Sequence, residues 1–280
     1  MSSTSNIPEP PFEKSIDKPS VVCRNVTKLY NAKSASVTQR KAEKVRALHN
    51  ASLVARKGDS IGLLGQNGSG KSTMLRLIAG AEAPTSGEIK VSAKPTILGV
   101  SAALVPYLSG RRNVYLGCMA MGMTPSQVDA VYDEIVQFAD IGDAIERPMN
   151  TYSSGMAARL KFAIGTAAVP EILLVDEALS TGDSAFKGRA DERMKKLLDG
   201  AGTLFLVSHE VKAVENVCSR AIWIHDGEII ADTEAWIACE QYTKWTVHLS
   251  KGRYERAEEF INEVRDWYSP TRIVFDSEIF

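Results

Sequence analysis

Residues 65–72 read GQNGSGKS, which fits the spacing G-x-x-x-x-G-K-S. Each residue type suits the capture of phosphate. Gly65, Gly68 and Gly70 carry no Cβ, so the backbone N–H groups of the loop can turn inward around a β-phosphate. Asn67 and Ser69 belong to the same loop. Lys71 brings a cation to the β- and γ-phosphates, Ser72 offers a hydroxyl to Mg²⁺, and Thr73 can bond the α-phosphate. The pattern binds a nucleoside triphosphate when it joins a buried strand to a helix. Both flanks are present: SIGLLG (60–65) is a short apolar run, and KSTMLRLIAG (71–80) has helical spacing and stops at Gly80. The start of that helix adds a positive partial charge.

Two further stretches complete a triphosphate-cleaving set. In ILLVDE (172–177) an apolar run ends in two acids. Asp176 is placed to bind Mg²⁺ through water, and Glu177 to polarise an attacking water as general base. The strand TLFLVSH delivers His209 to the edge that carries Asp176. His49, His225 and His248 have no such context. A second helix start, YSSGMAARLKFAI (152–164), is well capped by serine and is also a bare anion site. The chain thus has two phosphate-suited helix starts where one nucleotide needs only one.

Buried strands alternate with helices, which predicts a parallel α/β core. PSVVCRNVTKLY (19–30) reads as an edge strand, and 31–46 as an exposed polar loop or hairpin tip. Residues 107–150 read as mainly helical. RAIWIHDGEIIAD reads as two strands about an Asp-Gly turn, peripheral to the core, and ERAEEFINEVRDWY as an amphipathic tail helix. The first 18 residues read as a disordered tail without a signal peptide. No stretch approaches the roughly 18 apolar residues of a spanning helix. A soluble, cytosolic chain is expected, held at a membrane only by a partner. The four cysteines lack C-x-x-C spacing, which argues against zinc and disulfides and for buried, reduced thiols. A net charge of −1 gives no nucleic-acid footprint.

On these motifs the chain resembles an ABC transporter nucleotide-binding subunit over residues 20–235. The resemblance implies a P-loop NTPase (RecA-like) core with a peripheral antiparallel β-subdomain and an α-helical subdomain near 100–165, followed by a C-terminal helical extension over 236–280. It implies ATP and Mg²⁺ as cofactors. Tyr152, Ser153, Ser154, Gly155 and Met156 stand where the family has Leu-Ser-Gly-Gly-Gln, so Ser153 and Gly155 keep the phosphate-binding positions. Asp183 matches the D-loop aspartate and His209 the switch histidine. Tyr30 either stacks on adenine, as an aromatic does at that place in the family, or is a plain strand-end aromatic. The family's metal-binding Gln is missing; its place falls near Val100 or Ser101.

Within the family, PYLSGRRNVYL and the 152–164 stretch are similar to the polysaccharide-export branch, which handles O-antigen, teichoic acid and related glycans, in a short form without a carbohydrate-binding domain. The resemblance implies a homodimer with two permease subunits on the cytoplasmic face of the inner membrane. The permease would handle most of the lipid-linked glycan. It further implies two ATP bound head to tail, with Ser153 and Gly155 closing over the twin's nucleotide. Export of another substrate, such as a lipid or drug, and a soluble non-transport ABC ATPase are the alternatives.

Overall fold

The computed structural model describes residues 18–31, 44–98, 104–176, 184–208 and 210–275. The tail before Lys18, the centre of the 31–46 loop, Val100, Ser101, Glu177, Asp183 and His209 lie outside them.

Two sheets enclose one helix. The strands β1 (Val21–Asn31), β2 (Lys44–Ala55) and β4 (Ser86–Val91) form an antiparallel sheet in the order β2-β1-β4. A six-stranded sheet runs β5-β6-β7-β3-β8-β9, from β3 (Ser60–Leu64), β5 (Thr96–Leu98), β6 (Ile172–Asp176), β7 (Thr203–Val207), β8 (Arg220–His225) and β9 (Glu228–Glu234). All its pairings are parallel except β8 with β9. The helix α1 (Lys71–Ile78) is buried between the sheets. Its Met74, Leu75, Leu77 and Ile78 share one core with Val21 and Leu53 on one side and Ile61, Leu174 and Phe205 on the other. Fully burying such side chains contributes about 1.5–3 kcal/mol each, so the helix that begins at Lys71 is fixed from both faces.

The opposite face of the large sheet is covered by α5 (Ser184–Gly200), α6 (Val211–Val217), α7 (Ala235–Ser250) and α8 (Tyr254–Trp267). A separate apolar cluster holds α2 (Gly110–Ala120), α3 (Pro125–Ala139) and α4 (Ser154–Gly165) together. Phe162 of α4 packs edge-on against Phe186 of α5, 5.7 Å between ring centres, which ties this helical group to the sheet.

Two expectations need correction. The strand 19–30 is not an edge: β1 pairs with β2 on one side and β4 on the other. Its irregular register at Asn25 (φ +51°) is a bulge within a central strand. The first strand of the Asp-Gly hairpin is not peripheral either, because β8 pairs in parallel with β3, and only β9 is antiparallel. Besides the amphipathic helix α8, the C-terminal extension holds α7, whose Trp245 is buried against Trp223 of β8. Together α7 and α8 lie against β8 and β9.

All four cysteines are buried and free. Burial pushes Cys23 and Cys218 up to about 12 and Cys118 and Cys239 up to about 11. A group whose folded value is raised stabilises the fold below its unfolded value, about 8.5 for a thiol, and loses that contribution as pH rises through the folded one. We therefore expect native thiols to resist a disulfide-exchange reagent at pH 8 and to react fully once the chain is denatured. The melting temperature should fall from about pH 9 upward. Rapid reaction of any thiol in the native chain at pH 8 would contradict that burial.

Candidate functional site

The parallel register brings the chemistry to one edge of the large sheet. Leu63 of β3 and Asp176 of β6 both lie opposite Val207 of β7, so the three strands end in line. The loop 65–70 leaves β3 at this edge and enters α1. Asp176 ends β6 here, and position 209 follows two residues beyond Val207. Ligands of open α/β sheets bind outside such carboxyl ends.

The loop needs glycine at its two ends for reasons visible in its surroundings. Gly65 has φ +147°, and a Cβ there would stand 2.3 Å from the Ile224 carbonyl and 2.4 Å from Ser69 Oγ. Gly70 precedes α1 at φ +113°, and its Cβ would stand 2.5 Å from the Ala47 carbonyl. Both positions exclude a side chain on conformation and on space. The loop is thereby wedged between β2 and the β8–β9 turn, where the Gly227 N–H donates to the Ser69 carbonyl at 3.0 Å. Gly68 (φ +82°) faces open space, so its role is conformational alone.

Lys71 is 6% exposed, and its Nζ donates to the carbonyls of Gly65 at 2.6 Å and Gln66 at 2.8 Å. The ammonium therefore lies over the loop. Ser72 Oγ donates to Asp176 Oδ1 at 3.2 Å, which places a hydroxyl and a carboxylate from separate elements side by side. Two hard oxygen donors are what Mg²⁺ takes, usually keeping several waters besides. Ser69 Oγ is buried without a hydrogen-bond partner. A buried hydroxyl left unpaired costs about 1–3 kcal/mol, which a phosphate oxygen at this loop would relieve. The donor set and this orphan hydroxyl fit a Mg²⁺–triphosphate. Among the described residues no cluster of three or more His, Cys, Asp or Glu offers an alternative metal site.

Ser153 and Gly155 lie at the exposed start of α4, in the helical group and not in the loop 65–70. Ser153 caps α4, its Oγ accepting the Met156 N–H at 3.2 Å. Ser153, Ser154 and Gly155 are exposed, and a Cβ on Gly155 would meet nothing nearer than 4.0 Å. Tyr152 is turned inward, its hydroxyl donating to the Ala144 carbonyl at 2.6 Å. The result is a bare, capped and exposed helix start on the helical group.

Tyr30 lies near the end of β1 and is tied to α1. Its hydroxyl donates to Glu82 Oε2 at 2.6 Å, and Arg76 of α1 reaches Glu82, Tyr30 and Thr73. Sequence reading did not single out Arg76 or Glu82. It also passed over Asn113, which is fully buried in α2 and bonds the backbone of Val105, Leu108 and Ser109. An Asn inside a helix is the available signal, since that residue prefers caps and turns unless it has backbone partners. Here it pins the segment entering the helical group.

Among the described residues no helix is long and apolar enough to cross a membrane. Comparison with known proteins gives consistent matches. The family described as ABC transporter matches residues 48–180. The chain is 38% identical over 207 residues to the teichoic acids export ATP-binding protein TagH of Enterococcus faecalis, covering 74% of this chain and 46% of that protein. It is 40% identical over 191 residues to the O-antigen export system ATP-binding protein RfbB of Myxococcus xanthus, covering 68% and 44% respectively. It is 35% identical over 218 residues to the TagH protein of Staphylococcus saprophyticus, covering 78% and 83%. The chain thus spans less than half of the first two relatives and most of the third. Among solved structures it resembles a dimeric ATP-binding cassette in a post-hydrolysis state bound to ADP and Pi. That chain is 25% identical, with a TM-score of 0.59, and the match covers 77% of this chain and 98% of the other.

Proposed function

Because this chain belongs to the ABC transporter family, we propose that it binds and hydrolyses ATP to power export of a lipid-linked polysaccharide through a separate membrane permease. The observation that carries the nucleotide reading is the Ser72–Asp176 contact at 3.2 Å beneath the glycine loop. The names of the teichoic acid and O-antigen relatives support the choice of cargo.

In this reading residues 19–235 are the cassette, with its helical subdomain near 100–165, and 236–280 an extension. The loop N–H groups and Lys71 hold the β- and γ-phosphates, Ser69 and Thr73 bond phosphate oxygens, and Tyr30 stacks on adenine. Ser72 and Asp176 would hold Mg²⁺, Asp176 through water, and the ion would neutralise charge on the phosphates. Glu177 takes the proton of the attacking water, and His209 contacts the γ-phosphate. Two copies meet head to tail, so that Ser153, Gly155 and the D-loop Asp183 of one close over the nucleotide of the other. The dimeric state of the solved relative supports this arrangement. ATP then favours the closed pair because it touches both chains, and hydrolysis removes that bridge. The dimer joins two permease subunits on the cytoplasmic face of the membrane.

The test is purification of the chain from its own cells. Magnesium-dependent ATP hydrolysis that stops on chelation, together with co-purification of a multi-span membrane protein, is the expected result. Co-purification with ribosomes instead would overturn the export reading.

A further inference from the structure

A compact charged cluster surrounds Tyr30. Glu82 lies between α1 and β4. It accepts the Tyr30 hydroxyl at 2.6 Å, pairs with Arg76 Nε at 2.8 Å, and lies 3.1 Å from Lys28 Nζ. Lys28 also donates to the Ala83 carbonyl at 2.8 Å, and its ammonium stands over one face of the Tyr30 ring, 5.1 Å from the centroid. Arg76 extends the chain of contacts to Thr73 Oγ1 at 3.4 Å, one turn into the helix that begins at Lys71. The base end and the phosphate end of the site are therefore linked through two side chains, Glu82 and Arg76.

We propose that Glu82 is a positioning residue for the nucleotide base. It accepts the Tyr30 hydroxyl and pairs with Arg76, and so sets the Tyr30 ring at a fixed place relative to the phosphate loop. This rests on the reading of Tyr30 as the adenine platform. An aromatic ring holds a base by its face, and its contribution depends on the ring being oriented before the base arrives. An unanchored Tyr at a strand end would lose side-chain freedom on each binding event. Here the cluster orders the ring in advance, and with Lys28 over one face the base would take the other. The Glu82 carboxyl is held below the usual carboxylate range, the Tyr30 hydrogen bond being the largest cause, so it stays an acceptor at neutral pH.

The experiment compares two ligands on the full chain without Mg²⁺: ATP, and inorganic triphosphate, which has no base. Tyr30→Ala should weaken ATP binding by about 5- to 100-fold. Tyr30→Phe and Glu82→Gln should each weaken it about three- to tenfold, and the double variant no further, since both remove one coupled interaction. Triphosphate affinity should stay unchanged in every variant. If Tyr30→Ala lowers ATP affinity but Glu82→Gln and Tyr30→Phe do not, the positioning role is wrong while the platform stands. If Tyr30→Ala leaves ATP affinity intact, the platform reading itself fails. Equal losses for ATP and triphosphate in Glu82→Gln would make Glu82 a support of the local fold and overturn the inference.

Discussion

Glu177→Gln is expected to slow ATP turnover by about 10²- to 10⁴-fold while ATP binding persists, the usual cost of removing one well-placed proton-transfer group. Gln matches Glu in size and still accepts a hydrogen bond from water, but it cannot take the proton. The neighbouring groups explain why binding should survive. Lys71 is held over the loop by two carbonyls, and Asp176 contacts Ser72. The substitution therefore separates catalysis from capture. Single-turnover phosphate release and equilibrium nucleotide binding, measured on one preparation, provide the check. Turnover near that of the unaltered chain would move the base to another group. Loss of binding would place Glu177 in metal capture.

The phosphate loop was legible because its requirements are local. A buried run, glycines at set intervals and a helix start all fall within residues 60–80. The place of Asp176 was legible for the same reason: an apolar run that stops at an acid marks the end of a buried strand. The contribution of Glu82 was not legible: its partner Tyr30 lies 52 residues away, and only the packing of β1 beside α1 joins them. Within the helical extension α7 does not stand out as α8 does, because AWIACEQYTKWTVHLS is rich in β-branched and aromatic residues, which weaken helix propensity. Tertiary burial of Trp245 against Trp223 and Tyr242 overrides that preference. The central position of β1 was hidden for a similar reason. Its burial alternates only partly, and the bulge at Asn25 interrupts the pattern that marks an inner strand.

Two helix starts suited to phosphate in one chain lead to the result with the largest expected effect. Ser153→Trp should abolish turnover while leaving ATP binding to the single chain intact. Ser153 is exposed and caps α4, so the bulky side chain obstructs only what approaches from outside. The capping hydrogen bond is lost as well, at a cost of about 1 kcal/mol, too little to unfold the chain. Lys71→Ala should also abolish turnover, through the chain's own loop. The decisive measurement mixes the two inactive proteins. In a head-to-tail pair of one Ser153→Trp chain with one Lys71→Ala chain, one site carries both defects and the other carries neither. The intact site combines Lys71 from the first chain with Ser153 from the second. Turnover should therefore reappear on mixing, although neither protein is active alone. If Ser153 acted on the nucleotide of its own chain, every site in the mixture would keep one defect, and no activity would return.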